Sequence, residues 1–232
     1  MRTVLSWTLC LSVTALASCA LVVGTVLTLG LRRHQLASWL GPIWGRACFR
    51  LCGLELVVDG AERLQSDGPR LLVINHTSTL DMPLVAALGA SRICPVAKAE
   101  LRWIFPINLA FWAAGSIFIH RGDRQRAVAS LDAAADRIRE QALTVLISPE
   151  GTRSPDGRLQ PFKRGPFHLA RAAGAEILPV VVRGAADSLP KGSWTIRPGR
   201  ILVDIKAPLP PPDDPSSAAD ELHAMYVGWL AR

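Results

Sequence analysis

From Thr3 to Leu31 the chain carries no charged side chain. A helix of about 20 apolar residues is long enough to cross the hydrocarbon core of a bilayer. Any fold this chain adopts must therefore bury that segment or expose it to lipid. Arg2 ahead of it and Ala15-Leu16-Ala17 within it also resemble the basic region and small-residue site of a secretory signal. The apolar run continues well past that site, which favours an anchor. Arg32, Arg33 and His34 follow at once, and the positive-inside bias then places the rest of the chain on the cytoplasmic side.

Composition agrees. Half of the 232 residues are apolar, and the net charge is +7. That length suits one α/β domain plus a membrane segment. The basic excess suits an anionic leaflet or a phosphate-bearing substrate. Nucleic acid is disfavoured, because Tyr226 is the only tyrosine and there is no Lys/Arg-rich arm or zinc-finger spacing. Cys10, Cys19, Cys48, Cys52 and Cys94 are odd in number and form no CxxC framework, which fits a reducing compartment better than a disulfide scaffold.

Gln35 to Leu54 reads as a second, weaker helix. Leu36, Trp39, Leu40, Ile43, Trp44, Ala47 and Leu51 recur at three- and four-residue steps, with Arg46 and Arg50 on another face. The pattern suits a helix lying at the membrane interface or one packed on the domain. Residues 1–53 are thus expected to form a membrane anchor and interfacial helix. They span the bilayer or dip into one leaflet as a hairpin.

From residue 54 to residue 232 short β-rich runs alternate with helical patterns. The expected strands are Leu54–Val58, Leu71–Asn75, Ile93–Ala97, Ser116–Ile119, Thr144–Ile147, Ile177–Val182 and Ile201–Lys206. Helices are expected from Asp123, as N-cap, to about Gln141, over Phe162–Ala173 and over Ala218–Leu230. This order implies a single α/β domain with a mostly parallel sheet. Pro208 to Pro212 forms a stiff linker before the last helix.

Asn75-His76-Thr77-Ser78-Thr79-Leu80-Asp81 follows one apolar strand, and Asp81-Met82-Pro83 looks like a helix start with Asp at the cap. On a regular helix His76 and Asp81 would lie about 140° apart. They meet only if His76 occupies the turn before the helix. A carboxylate beside an imidazole orients the ring, selects its tautomer and stabilises its cation, which makes a general base. Alone, such a spacing is common and most often structural. Ser148-Pro149-Glu150-Gly151-Thr152-Arg153-Ser154 follows another strand, where Arg153 offers a fork of donors for phosphate and Gly151 permits close backbone approach. Lys163 and Arg164 add charge nearby, and Gly115 to Arg121 ends a third strand on a basic residue.

These segments, with Ile177-Leu178-Pro179-Val180, resemble in content and order the four sequence blocks of the glycerolipid acyltransferases, in particular the 1-acylglycerol-3-phosphate acyltransferases. Phe162-Lys163-Arg164-Gly165 resembles a stretch that family carries after its third block. The resemblance spans roughly Leu54 to Val182. It implies that His76 is the general base and Asp81 its orienter. It also implies that Arg121, Glu150, Gly151, Thr152 and Arg153 bind the acceptor's glycerol phosphate, that Lys98 supports the phosphate, and that Pro179 shapes the fourth block. The substrates would be a lysophospholipid and an acyl thioester, acyl-CoA or acyl-carrier protein, at a lipid bilayer, with no cofactor. Two positions depart from the pattern. Ser148 replaces a bulky apolar residue, and His120 stands where an acidic or amide side chain is frequent.

Direct transfer from the thioester suits the sequence, which has no GxSxG elbow and no Cys in the histidine motif. HExxH and clustered ligands are also absent, so no metal is expected. The Asn75–Asp81 turn is expected to offer N–H groups to the oxyanion. Trp103 to Ile119 is a second uncharged stretch. It reads as an apolar wall for the acyl chain or for lipid, with plain core and a second membrane span as alternatives.

Overall fold

A computed structural model describes residues 2–105, 107–119, 124–154 and 158–231. Two helices, α1 (Arg2–Leu27) and α2 (Arg33–Cys52), precede an α/β domain. The strands are β1 (Leu54–Asp59), β2 (Arg70–Ile74), β3 (Ile93–Lys98), β4 (Ile117–Ile119), β5 (Thr144–Ile147), β6 (Glu176–Arg183) and β7 (Gly199–Ile205). The remaining helices are α3 (Asp81–Leu88), α4 (Ile107–Ala113), α5 (Arg124–Glu140), α6 (Gly165–Ala173), the short α7 (Ala185–Ser188) and α8 (Pro215–Leu230). All seven expected strands form within two residues of their expected limits. The expected helix from Phe162 begins only at Gly165, where Pro166 in the first turn sets the start. The last helix starts earlier than expected, because Asp214 accepts the N–H groups of Ser216 and Ser217 and Pro215 occupies the first turn. Asp123, the expected cap of α5, lies outside the described residues.

The sheet order is β1-β7-β6-β2-β5-β3-β4, and every neighbouring pair is parallel except β6 with β7. Alternation along the central strands builds a three-layer fold. Leu72 and Ile74 of β2, with Leu178, Val180 and Val182 of β6, face a core shared with α2 and α3. Leu71, Val73, Ile177 and Val181 face the opposite core, shared with α5, α6 and α8. The chain leaves β2 for α3 on one face and leaves β5 for α6 on the other. These two strands are neighbours, so a crevice opens at their carboxyl ends, where open α/β sheets bind ligands.

Tyr226 enters that sheet edge-on. Its side chain is fully buried, and its hydroxyl accepts the N–H of Val180 at 3.0 Å and donates to the carbonyl of Val73 at 2.8 Å. The phenol thus replaces a direct link between β2 and β6 at this level. One step further on, the Asn75 side-chain amide exchanges two 2.8 Å bonds with the backbone of Val182, acting as an extra rung. Strand β2 therefore separates from β6 just before His76 without leaving its backbone groups unpaired.

Helix α1 is long and apolar enough to cross a membrane, and only 6% of its most apolar window is buried. An apolar surface so exposed suits lipid rather than water. The helix is also fastened along its length. Ser6 donates to the Leu51 carbonyl, Trp7 to that of Trp194 and Thr25 to that of Ala113, while Trp44 donates to Thr14. Cys10 packs against Cys48 and Cys52, and these thiols are free. Such contacts make α1 a packed element, which disfavours the signal-peptide reading.

Helix α2 packs through Phe49 and several small residues, while two of its large apolar side chains face outward. Ala37, Gly45, Cys48, Phe49 and Cys52 are buried, while Trp39 and Ile43 are exposed. Gly41 and Gly45 lie against α3, and a β-carbon on Gly45 would stand 2.3 Å from the Pro83 carbonyl oxygen. Small residues four apart allow two helices to approach this closely. Near the start of α2, Arg137 donates to the carbonyls of Gly115 and Ser116 and lies against His34. Burial and then that guanidinium lower the His34 pKa to about 4, so the imidazole is neutral at ordinary pH.

The Trp103–Ile119 stretch is not one continuous helix. It holds part of a 3-10 turn, the seven-residue α4 and β4, too short and broken for a span. Ala113, Ile117 and Ile119 join the core, whereas Trp103, Phe105, Leu109 and Trp112 are exposed. The stretch is therefore core on one side and an open apolar surface on the other.

Candidate functional site

Every strand that feeds the site runs in the same direction, so residues just past their carboxyl ends gather at one edge of the sheet. His76 lies two residues beyond β2, Glu150 three beyond β5, and Lys98 ends β3. Arg121, which follows β4, lies outside the described residues.

Asp81 Oδ2 lies 2.6 Å from His76 Nδ1. The same oxygen accepts the N–H groups of Thr77 and Ser78 at 3.1 and 3.2 Å. Asp81 is therefore the first residue inside α3 rather than its N-cap. It closes the turn behind it, which brings two side chains five residues apart into contact. The carboxylate selects the tautomer with the proton on Nδ1 and leaves the Nε2 lone pair for a reacting group. Asp81 is 3% exposed and His76 29%, so the carboxylate is sheltered while the ring reaches the surface.

Glu150 differs from the role that the resemblance implies. Its residue is 2% exposed, Oε1 accepts the backbone N–H of His76 at 2.7 Å, and Oε2 accepts that of Gln160 at 2.9 Å. A buried carboxylate with both oxygens engaged is badly placed to meet a phosphate, which it would repel. Burial raises its pKa, against the lowering effect of the two N–H donors. Ser154 donates its N–H to the His76 carbonyl at 3.0 Å, so the two motif segments clasp the His76 backbone from both sides.

Gly151 takes φ 73°, a backbone conformation that favours glycine, and the Lys163 side chain lies over it, 2.7 Å from where a β-carbon would stand. Arg153 donates to the Thr79 hydroxyl, which sets its guanidinium beside the histidine turn. Thr152 is exposed on the same turn. Lys98 pairs with Glu100 at 3.3 Å on an exposed surface. Ser148 Oγ is buried with no hydrogen-bond partner among the described residues.

The oxyanion expectation fails for most of the histidine turn. The N–H groups of His76, Thr77, Ser78, Leu80 and Asp81 are all taken by acceptors within the protein. Sequence reasoning also missed Asn75, Ser78, Ser154 and Tyr226 as supports, because each acts through a distant backbone group that leaves no mark on local spacing. The one available signal was that Tyr226 is the sole tyrosine and falls in a helical pattern.

A family model described as Acyltransferase matches residues 55–183. The bovine 1-acyl-sn-glycerol-3-phosphate acyltransferase alpha is 36% identical over 182 residues, covering 76% of this chain and 63% of that protein. The chain thus spans slightly less than two thirds of that relative's length. The 1-acyl-sn-glycerol-3-phosphate acyltransferase of Limnanthes alba is 31% identical over 199 residues, covering 84% of this chain and 70% of that one. The crystal structure of the 1-acyl-sn-glycerophosphate (LPA) acyltransferase PlsC from Thermotoga maritima superposes with a TM-score of 0.76 at 26% identity, covering 100% of this chain and 99% of that one. The matched region holds the strands β1–β6 and both motif turns, and with these the chain belongs to the acyltransferase family.

Proposed function

We propose that this protein transfers a fatty acyl group from a thioester, acyl-CoA or acyl-carrier protein, to the free hydroxyl of 1-acylglycerol 3-phosphate, forming phosphatidic acid. The observation that carries the reading is the 2.6 Å contact of His76 Nδ1 with Asp81 Oδ2, beside a turn that presents Arg153. The bovine, plant and bacterial relatives named for this reaction support the choice of acceptor.

In the reaction, His76 Nε2 takes the proton of the acceptor hydroxyl as its oxygen attacks the thioester carbonyl. The imidazolium that forms is stabilised by Asp81. When the tetrahedral intermediate collapses, the C–S bond breaks and the thiolate leaves, recovering a proton from the imidazolium. Arg153 binds the acceptor phosphate, with Lys98 and Arg121 as further candidates. Glu150 acts by holding the His76 backbone. Residues 1–53 anchor the catalytic part, residues 54–232, to the bilayer. Arg32 and Arg33 after α1 support a cytoplasmic placement.

The test is transfer by the purified full chain in lipid nanodiscs, supplied with acyl-CoA and 1-acylglycerol 3-phosphate. Phosphatidic acid is the expected product. His76→Ala is expected to reduce turnover at least ~100-fold with the fold retained, the usual scale for losing a general base. Near-wild-type transfer by that variant would rule out the mechanism, and release of free fatty acid would identify a hydrolase.

A further inference from the structure

Two more cations approach the turn that carries Arg153, and they come from different parts of the chain. Lys163 folds back over Gly151, and its backbone N–H is tied to the Pro149 carbonyl at 2.8 Å. Lys191 arrives from the loop between α7 and β7. There, Ser193 donates its N–H to the Pro190 carbonyl at 3.1 Å and Gly192 takes φ 81°. This is the backbone of a type II turn, with Lys191 at its first corner. Lys191 Nζ donates to the carbonyl oxygen of Arg153 at 2.8 Å.

The loop is fixed at its root as well. Ser78, in the histidine turn, donates its hydroxyl to the Leu189 carbonyl at 2.7 Å in a buried contact. Lys191 is thereby referenced to both motif turns. Among the described residues, none of Arg153, Lys163 and Lys191 is paired with a carboxylate, and Glu150, the acid of the turn, faces inward to His76. An ammonium has three N–H donors, and the Arg153 carbonyl engages one of them.

Three cations around one turn suit a doubly charged ligand. A phosphomonoester carries about −1.5 to −2 near neutral pH, whereas a phosphodiester carries a single negative charge. We propose that Lys191 is a specificity residue for the acceptor. With Arg153 and Lys163 it completes a cradle for a phosphomonoester head group and disfavours lysophospholipids whose phosphate is a diester. This rests on the acceptor reading above and deepens it.

The experiment is steady-state kinetics of wild type, Lys191→Met and Lys191→Arg at saturating acyl-CoA. The acceptor is 1-acylglycerol 3-phosphate, and lysophosphatidylglycerol is the competing phosphodiester. For Lys191→Met the acceptor KM is expected to rise roughly tenfold while kcat falls less than about threefold, a pattern of lost substrate binding. The inhibition constant of the phosphodiester should stay nearly unchanged, and Lys191→Arg should recover most of the affinity. Three results would overturn the proposal: an unchanged KM, an equal loss of affinity for both lipids, or a fall in kcat that arginine does not rescue. The last marks a merely structural tie to the Arg153 carbonyl. Failure of the wild type to use 1-acylglycerol 3-phosphate overturns the acceptor reading and this proposal together. Wild-type activity with a normal Lys191→Met variant overturns this proposal alone.

Discussion

Glu150 accepts the backbone N–H of His76 at 2.7 Å, across 74 positions of chain. The bond joins the two motif turns at the carboxyl ends of the neighbouring strands β2 and β5. With Ser154 donating to the His76 carbonyl, it leaves the histidine backbone little freedom, so the ring is aimed by the glycine-containing turn as well as by Asp81. A general base gains from such pre-organisation, because a misplaced ring must be reoriented at each turnover.

Glu150→Gln tests this role. The amide keeps the size, but its NH2 must face one of the two N–H donors that the carboxylate accepted. We expect kcat to fall roughly 10- to 100-fold with little change in acceptor KM. A raised KM at unchanged kcat would show that Glu150 binds the acceptor instead. The variant also predicts a pH effect. Burial raises the Glu150 pKa in the folded chain, so the folded state holds that proton more tightly than the unfolded one. Its contribution to stability is then present below the ordinary carboxylate pKa and is lost as pH climbs through the raised value. The difference in Tm between wild type and Glu150→Gln should shift against the wild type across that window, and a flat difference would contradict it.

Asp81→Asn separates geometry from charge. Oδ2 accepts all three hydrogen bonds and Oδ1 accepts none among the described residues, so an asparagine oxygen can occupy the Oδ2 site. The fold should survive, with Tm lowered by the amide NH2 that finds no acceptor at the buried Oδ1 position. Turnover should still fall about 10²- to 10⁴-fold, because the imidazolium loses its counter-charge. Asp81→Ala removes the acceptor of all three bonds and should lower both Tm and activity.

Tyr226→Phe removes one oxygen and leaves the Val180 N–H and the Val73 carbonyl without their partner. Each unsatisfied buried group costs about 1–3 kcal/mol. We expect a loss of that order for the pair, read by denaturant unfolding. A loss below about 0.5 kcal/mol would mean that β2 and β6 close up and bond directly.

Gly45→Ala adds one methyl group where α2 meets α3. The new carbon would lie 2.5 Å from the Ala87 nitrogen as well as 2.3 Å from the Pro83 oxygen, and neither backbone atom can yield without moving α3. Overpacking of this kind costs about 1–3 kcal/mol. Because α3 begins with Asp81, activity should decline along with Tm. An unchanged melting profile would show that the two helices are not in close contact.

Much of the fold was legible in the chain itself. Short β-rich runs located all seven strands. The uncharged run announced α1, and His76, Asp81 and Arg153 were marked by motif turns that follow strands. Helix α2 was legible as a helix, but the residues through which it meets α3 were not. Trp39 and Ile43 are exposed, as a helix at the membrane interface would hold them, while Gly41 and Gly45 meet α3, since close approach is governed by what is missing from a side chain. Asp81 was expected as a cap for α3 because that position commonly caps. It turns back to Thr77, Ser78 and His76 because those donors lie nearer.

Hydrophobic period and strand-turn motifs act over a few residues, so the sequence alone determined the element order, the long apolar first helix and which histidine is the candidate base. The inward turn of Glu150, the arrival of Lys191 beside Arg153 and the wedge of Tyr226 join residues 38 to 153 positions apart. Only the tertiary structure decided these, because they depend on strand order and on which backbone groups the sheet leaves unpaired, and neither is written in local spacing.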